Sequence, residues 1–158
     1  MANELSTAGI ILYYNADTAA SSPTVTHPSG TGTTWTQVHN IKSIPDFNSA
    51  PETLDVTDLS DPEYMRSILG LKSTGDSLAF GANFTTQFVT EWQTIISAAT
   101  SSTAPKQIWW KITVPNFGSF YFAGEPANIG LPALEVNTVF SGDVYIAPNV
   151  VEGWELDT

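Results

Sequence analysis

The stretch DSLAFGANFTTQFVTEWQTIISAATSSTAPKQIWWKITVPNFGSFYFAG (residues 76–124) decides the fold, because it sets a strand, a helix and a hairpin in succession. Its first nine residues alternate apolar side chains with small or polar ones, which is the period-2 pattern of a half-buried strand. The apolar side chains on the buried face of this predicted strand are Leu78, Phe80, Ala82 and Phe84.

The segment TTQFVTEWQTIISAAT (residues 85–100) predicts the one clear helix. Its apolar residues recur at spacings of three and four, which places them on one face of an α-helix. Thr85 or Thr86 can cap the amino terminus, because a threonine hydroxyl accepts a hydrogen bond from a free backbone N–H of the first turn. The stripe that we expect to pack against the sheet consists of Phe88, Trp92, Ile95, Ile96 and Ala99.

The segments QIWWKITV (107–114) and SFYFAG (119–124) predict a β-hairpin around PNFG. We expect Gly118 to take the positive φ of a bulged turn. Adjacent residues of a strand point to opposite faces, so Trp109 and Trp110 must separate. One of them is expected in the core. The other lies either under the helix or on the outside, where it would contact a partner or a sugar.

The remaining segments extend the β pattern toward both termini. GIILYY (9–14) predicts a first strand, residues 15–34 a flexible Ser/Thr/Gly loop, and WTQVHNIKSI (35–44) a second strand. EYMRSILGL (63–71) is compatible with one helical turn that ends at Gly70.

The last predicted strand is EVNTVFSGDVYI (135–146), followed by a polar tail. Its expected inward face consists of Val136, Phe140, Val144 and Ile146, and Glu135, Asn137, Ser141 and Asp143 face the other way. The chain is therefore predicted to be a single domain (residues 1–158), mainly β, with a β-sandwich or β-barrel, one flanking α-helix and a long loop after the second strand.

Composition excludes several classes of function. The 158 residues include sixteen acids, five scattered bases and no cysteine, for a net charge of −11. Tight binding to nucleic acid or to an anionic membrane requires clustered cations, so neither is expected. Without cysteine the chain has no disulfide and no thiolate metal site. The first residues lack a basic region and a long apolar run, so we expect no membrane insertion.

Residues with catalytic potential are few. His27 lies in a Pro/Gly/Ser segment and His39 in a predicted strand, and both are interpreted as solvated or hydrogen-bonded histidines. HExxH and GxSxG motifs do not occur, and SGTGTT lacks the lysine of a phosphate-binding loop. Glu125 and Glu135 are available as a carboxylate pair, but the sequence does not set their separation. We expect no catalysis and no cofactor.

Residues 45–63 form an acidic, proline-rich arm with six carboxylates and no base. Three interpretations stay open: a metal site, a solvated loop or a subunit-contact arm. Asp55, Asp58 and Asp61 recur every third residue, whereas calcium loops use alternate positions and a glycine. The apolar residues among the acids favour a contact arm, because a solvated loop does not need them. The candidate arm residues are Pro45, Asp46, Phe47, Glu52, Leu54, Asp55, Val56, Asp58, Leu59 and Asp61.

Several of these segments resemble one known family. STAGIILYY (6–14), IKSIPDF (41–47), PETLDVTDLSD (51–61) and GLKSTGD (70–76) are similar to the major tail tube proteins of long-tailed (siphovirus-type) bacteriophages and prophages. The resemblance runs from Leu5 to about Ile146, and the segment from Asp17 to Thr34 departs from it.

The resemblance implies a structural virion protein whose hexameric rings join sheets edge to edge and stack into a hollow tail tube. The tube would surround a tape-measure protein and meet tail-tip and terminator proteins. It would be assembled in the bacterial host cytoplasm, and DNA would pass through its lumen without specific binding. The arm (residues 45–63) would reach a neighbouring subunit or ring. The expected lumen-facing acids are Asp76, Glu135 and Asp143, with Lys111 as an exception to explain.

Other function classes stay open beside this one. A tail-tip or head–tail joining protein of the same fold class would form one ring and no tube. A β-sandwich that binds a glycan through Trp109 or Trp110, with calcium in the acidic arm, is a second alternative. An enzyme with a carboxylate pair is a third, although no motif singles it out.

Overall fold

The computed structural model describes residues 8–20, 26–30, 32–47, 52–60, 64–69, 77–100 and 107–157. Within these ranges the chain forms nine strands and one helix. In chain order they are β1 (Ile11–Ala20), β2 (Thr36–Val38), β3 (Ile41–Ser43), β4 (Thr53–Asp55), β5 (Ser67–Leu69), β6 (Leu78–Asn83), α1 (Thr86–Ala99), β7 (Gln107–Val114), β8 (Gly118–Pro126) and β9 (Ser141–Leu156).

Seven antiparallel strands make one sheet in the order β2-β1-β7-β8-β9-β6-β3. The two edge strands, β2 and β3, are consecutive in the chain and are separated by only residues 39–40. The sheet must therefore curl until its edges lie side by side, which produces a nearly closed, barrel-like sheet. Together with the single helix this confirms the predicted fold class, and a long connection follows β3 as predicted.

Aromatic rings fill the space between the sheet and α1. The ring centroid of Trp110 lies 5.7 Å from that of Trp92 on the helix and 6.3 Å from that of Phe122 on the neighbouring strand. Phe80 stacks on Phe122, and all four of these side chains are buried. The core thus joins α1 to the sheet through rings that the sequence separates by tens of residues.

The helix occupies the predicted segment. The Thr85 hydroxyl caps it by accepting a hydrogen bond from the N–H of Phe88 at 3.1 Å. The indole Nε1–H of Trp92 donates to the carbonyl of Ala127 at 2.9 Å, which satisfies the polar atom of a buried ring. Of the predicted stripe, the structure buries Phe88, Trp92, Ile95 and Ala99 and half-buries Ile96.

Three predicted boundaries in the first half are wrong. The second strand is split into β2 and β3 because Asn40 adopts a left-handed φ of 64° at a turn. The first strand continues to Ala20, since Asn15 and Ala20 pair with β7, so this part of the predicted 15–34 loop is strand. The helical turn predicted at 63–71 is also wrong, because β5 lies there and pairs with β4.

The final strand lies later in the chain than predicted. A turn holds residues 135–138, where the Thr138 hydroxyl donates to the carbonyl of Glu135 and Asn137 has a φ of 65°. Val136 and Phe140, both predicted to face inward, are consequently exposed. The strand begins at Ser141 and runs through the polar tail, because β8 pairs with it as far as Leu156.

Gly118 has a different role from the predicted one. The positive φ of the hairpin turn falls on Asn116, at 61°. Gly118 instead lies against the backbone of β9, where an added Cβ would come within 2.9 Å of the Leu156 Cα and still closer to the carbonyl oxygen of Glu155. Backbone atoms of a paired strand cannot move aside, so this position requires glycine.

Candidate assembly surface

Residues 52–60 and 64–69, which include β4 and β5, form a separate two-stranded ribbon, here called the hairpin arm. Leu54 pairs with Ile68 in its register. Every described residue of the hairpin arm is exposed to solvent. An isolated two-stranded hairpin is at best marginally stable in water. This ribbon therefore gains little support from the barrel within the described part of the chain.

Local hydrogen bonds set the shape of the hairpin arm. The N–H of Val56 donates to the carbonyl of Arg66 at 2.9 Å, and the N–H of Arg66 donates to the Thr57 hydroxyl at 2.9 Å. The N–H of Thr57 donates to the Asp55 carboxylate at 2.8 Å. Hydrogen bonds from the Thr57 side chain and then its backbone lower the pKa of Asp55. The carboxylate thus stabilises the turn in its ionised form.

The hairpin arm exposes many large apolar side chains for its size. Leu59 is fully exposed, and Leu54 and Ile68, directly opposite each other, are each about half exposed (52% and 53%). Contiguous exposed apolar groups on a soluble protein mark interaction surfaces. The exposed apolar residues of the hairpin arm are Leu54, Val56, Leu59, Tyr64, Met65, Ile68 and Leu69.

The structure divides the predicted arm residues into two groups. Pro45, Asp46 and Phe47 line a groove of about 260 Å³ at the barrel instead of belonging to the ribbon. The centroid of the half-buried Phe47 ring lies 4.9 Å from that of Phe122 within the same chain, and its role as a docking residue stays a prediction. Asp61 lies outside the described residues. The hairpin arm itself contains the other predicted residues, which are Glu52, Leu54, Asp55, Val56, Asp58 and Leu59.

The predicted lumen-facing acids do not share one strand. Asp143 is exposed on β9, where it pairs with Gly81 of β6. Glu135 lies in the turn before β9, so strand alternation does not place it on the same face as Asp143. Asp76 lies outside the described residues. The orientation of these acids toward a lumen stays a prediction.

The two adjacent tryptophans occupy opposite faces of β7, and both are buried. Trp110 lies in the main core beneath α1. Trp109 belongs to a smaller cluster on the other face, with Tyr121, Ala123, Trp35 and Val150. With Trp109 only 2% exposed and Trp110 fully buried, neither indole is available to stack on a sugar. The glycan-binding alternative thereby loses the residues on which it depended.

Lys111 belongs to this smaller cluster. Its ammonium lies 4.7 Å from the ring centroid of Tyr13 and 5.1 Å from that of Trp35, which is a cation–π arrangement. Burial lowers the pKa of Lys111, and the negative charge of Glu155 partly opposes this effect. The sequence signal for this cluster was the period-2 spacing of Trp109 and Lys111, which puts both on one face.

Each histidine is held by a glutamate distant in sequence. For His39, the backbone N–H donates to Glu91 Oε2 at 2.9 Å and Nδ1 lies 2.5 Å from Glu91 Oε1. For His27, the backbone N–H and Nδ1 both lie 2.8 Å from Glu152 Oε2. Neither glutamate was identified from the sequence, because a separation of 52 or 125 residues leaves no local pattern.

Strand β9 pairs with β6 from Ser141 to Ile146 and with β8 from Ile146 to Leu156.

Comparison with known proteins adds no assignment. A scan against protein-family models finds no match, and no curated protein matches this chain. Among the described residues, no group of three or more histidine and acidic side chains is arranged to hold a metal ion. No helix in those ranges is long and apolar enough to cross a membrane.

Proposed function

We propose that this chain is a structural subunit that self-assembles into stacked hexameric rings and so forms the tail tube of a long-tailed bacteriophage or prophage. The tube is a conduit for DNA ejection in the virion tail, assembled in the host cytoplasm around a tape-measure protein and between tip and terminator proteins. The resemblance of the segments at 41–47, 51–61 and 70–76 motivates the proposal. The single structural observation that carries it is the exposed apolar hairpin arm.

The hairpin arm supports self-assembly because its composition suits an interface. Its apolar side chains are exposed although each strand has only three residues, so the arm gains stability when a partner covers it. Burying apolar surface contributes about 25 cal/mol per Å². Covering several such side chains thus offsets the loss of freedom on association, and the prolines at 45 and 51 reduce that loss.

The charge supports a conduit through which DNA moves without being held. The chain has a net charge of −11. Of its described bases, Lys42 donates to the Ser141 hydroxyl and Lys111 lies between two aromatic rings. Screening restricts charge effects to about 8 Å at physiological salt, so only acids on the lumen wall would act on the duplex. Such a wall repels phosphates from every side.

The experiment is negative-stain electron microscopy of concentrated protein, with light scattering on the same sample. The test variant is Leu54→Asp with Ile68→Asp, which charges the centre of the hairpin arm. Its control is Val136→Asp, an apolar position away from the arm that is more exposed than Leu54 or Ile68. Both changes lie on the surface, so each variant should stay folded with stability within about 0.5 kcal/mol per substitution of wild type.

Hollow tubes with six-fold end views in wild type and Val136→Asp, and folded monomers in the arm variant, are the expected result. Single rings without stacking would instead indicate a tip or head–tail joining protein. A wild-type chain that stays monomeric at all concentrations, with and without a purified initiating tip complex, would contradict the proposal. Equal assembly by the arm variant would contradict the role of the hairpin arm.

A further inference from the structure

We propose that His27, protonated on both ring nitrogens, clasps the segment 26–30 to the outer face of the sheet through Glu152 and Glu155, and that deprotonation opens this clasp. The inference stands independently of the tube function. It concerns the part of the chain between Asp17 and Thr34 that departs from the tail tube pattern. Segment 26–30 and the glutamates are far apart in sequence, so the contact is tertiary.

Three contacts define the clasp. His27 donates its backbone N–H to Glu152 Oε2 at 2.8 Å, and its Nδ1 lies 2.8 Å from the same oxygen. Its Nε2 lies 3.3 Å from Glu155 Oε2. The imidazole also stacks on the Tyr121 ring, with centroids 3.8 Å apart and planes 7° from parallel. The histidine side chain is only 12% exposed, so these groups are its environment rather than solvent.

The number of acceptors decides the protonation state. A neutral imidazole has one N–H donor and one lone pair. With a carboxylate oxygen at each ring nitrogen, a neutral ring would direct its lone pair at a negatively charged acceptor. Only the imidazolium donates to both glutamates, and charge-assisted hydrogen bonds of this kind are stronger than neutral ones. The clasp is therefore complete only in the protonated state.

The surrounding charges act in the same sense. Glu152 and Glu155 face the ring from β9, and Tyr121 covers it from β8. The negative charge of Glu155 also acts on Lys111 of β7. Burial and the negative charge of Glu155 raise the pKa of Tyr121, so the stacked ring is neutral near pH 7. A neutral electron-rich ring beneath an imidazolium is favourable.

His39 provides a natural comparison. It meets a single carboxylate, Glu91, through its backbone N–H and Nδ1. A neutral tautomer with hydrogen on Nδ1 satisfies that contact completely. Loss of the second ring proton should thus weaken the His27 clasp and spare the His39 contact.

The test is amide hydrogen exchange of the dilute full-length chain at pH 5.5 and 8.5, read by nuclear magnetic resonance. Protection is expressed relative to the intrinsic exchange rate at each pH. We expect protection of the His27 amide to fall about tenfold between the two conditions. This is the lower end of the effect expected for the loss of a hydrogen bond to a charged group. The His39 amide should change little, and long-range proton–nitrogen spectra should show the His27 ring as imidazolium at pH 5.5.

The matched variant is Glu155→Gln. Its side-chain amide can donate to the lone pair of a neutral His27, so protection should become nearly independent of pH. Glu155 is 63% exposed, so this variant should fold normally. An unchanged fall in protection in Glu155→Gln, an equal fall at His39, or constant protection of the His27 amide in wild type would each overturn the proposal.

Discussion

Replacing Phe47 with alanine tests whether the start of the acidic arm belongs to the barrel core or to the assembly surface. In the structure its ring centroid lies 4.9 Å from that of Phe122, 5.1 Å from that of Phe120 and 6.5 Å from that of Phe80. The half-buried Phe47 ring thus packs against the aromatic core, and removing this ring should destabilise the isolated subunit.

The expected loss follows from the degree of burial. A fully buried phenylalanine replaced by alanine costs about 3–5 kcal/mol of unfolding free energy. Because Phe47 is half-buried, we expect about 2.5 kcal/mol, which includes its aromatic contacts. With a urea dependence of about 2 kcal/mol per molar, the unfolding midpoint should fall by about 1 M. The corresponding decrease in Tm is about 5–10 °C.

The assay is urea unfolding of dilute protein, followed by far-ultraviolet circular dichroism, so that self-association does not contribute. Leu59→Ala is the matched control, because Leu59 is fully exposed in the hairpin arm. That variant should stay within about 0.5 kcal/mol of wild type. If Phe47→Ala unfolds at the wild-type midpoint but assembles poorly, Phe47 is an interface residue and the packing argument is refuted.

Three further predictions concern the fold. Gly118→Ala should lower the free energy of unfolding by at least about 2 kcal/mol, because the new methyl meets backbone near Leu156; a wild-type melting curve would contradict this. Thr85→Ala should cost about 1 kcal/mol by removing the cap on the N–H of Phe88, and Thr85→Ser should restore it; equal denaturation midpoints for both variants would argue against capping. Because the pKa of Tyr121 is raised in the folded state, stability should be lost as pH rises above about 10, and Tyr121→Phe should reduce that loss in urea titrations at pH 9 and 11. The same loss in Tyr121→Phe would assign it to other groups.

The periodic spacing of apolar residues predicted the secondary structure in the centre of the chain. The strand at β6, the helix α1 and the β7–β8 hairpin all formed where periodicity predicted them. Their signals are strong because neighbours in each pattern are neighbours in the chain. Where the local signal conflicted with pairing, pairing decided the outcome. Segment 147–156 has no clear alternation, yet β8 supplies its hydrogen bonds and makes it strand.

The sequence predicted only part of the candidate assembly surface. The acidic and apolar composition of residues 52–59 singled out a segment that is exposed in the structure, and its role in assembly stays a prediction. The same composition included Phe47, although that ring packs on Phe120 and Phe122 of its own barrel. Composition cannot separate an apolar residue that docks on a partner from one that folds back, because both bury the same area.

The sequence by itself determined the mainly β class, the helix with its apolar stripe, the hairpin and the acidic excess, since each depends on residues within one turn or one strand. Only the tertiary structure decided the strand order, the closure that brings β2 beside β3, and the carboxylates around His27. These features join residues as far apart in the sequence as His27 and Glu155. Such contacts depend on which strands become neighbours, and a periodic pattern specifies the face of a strand but not its neighbour.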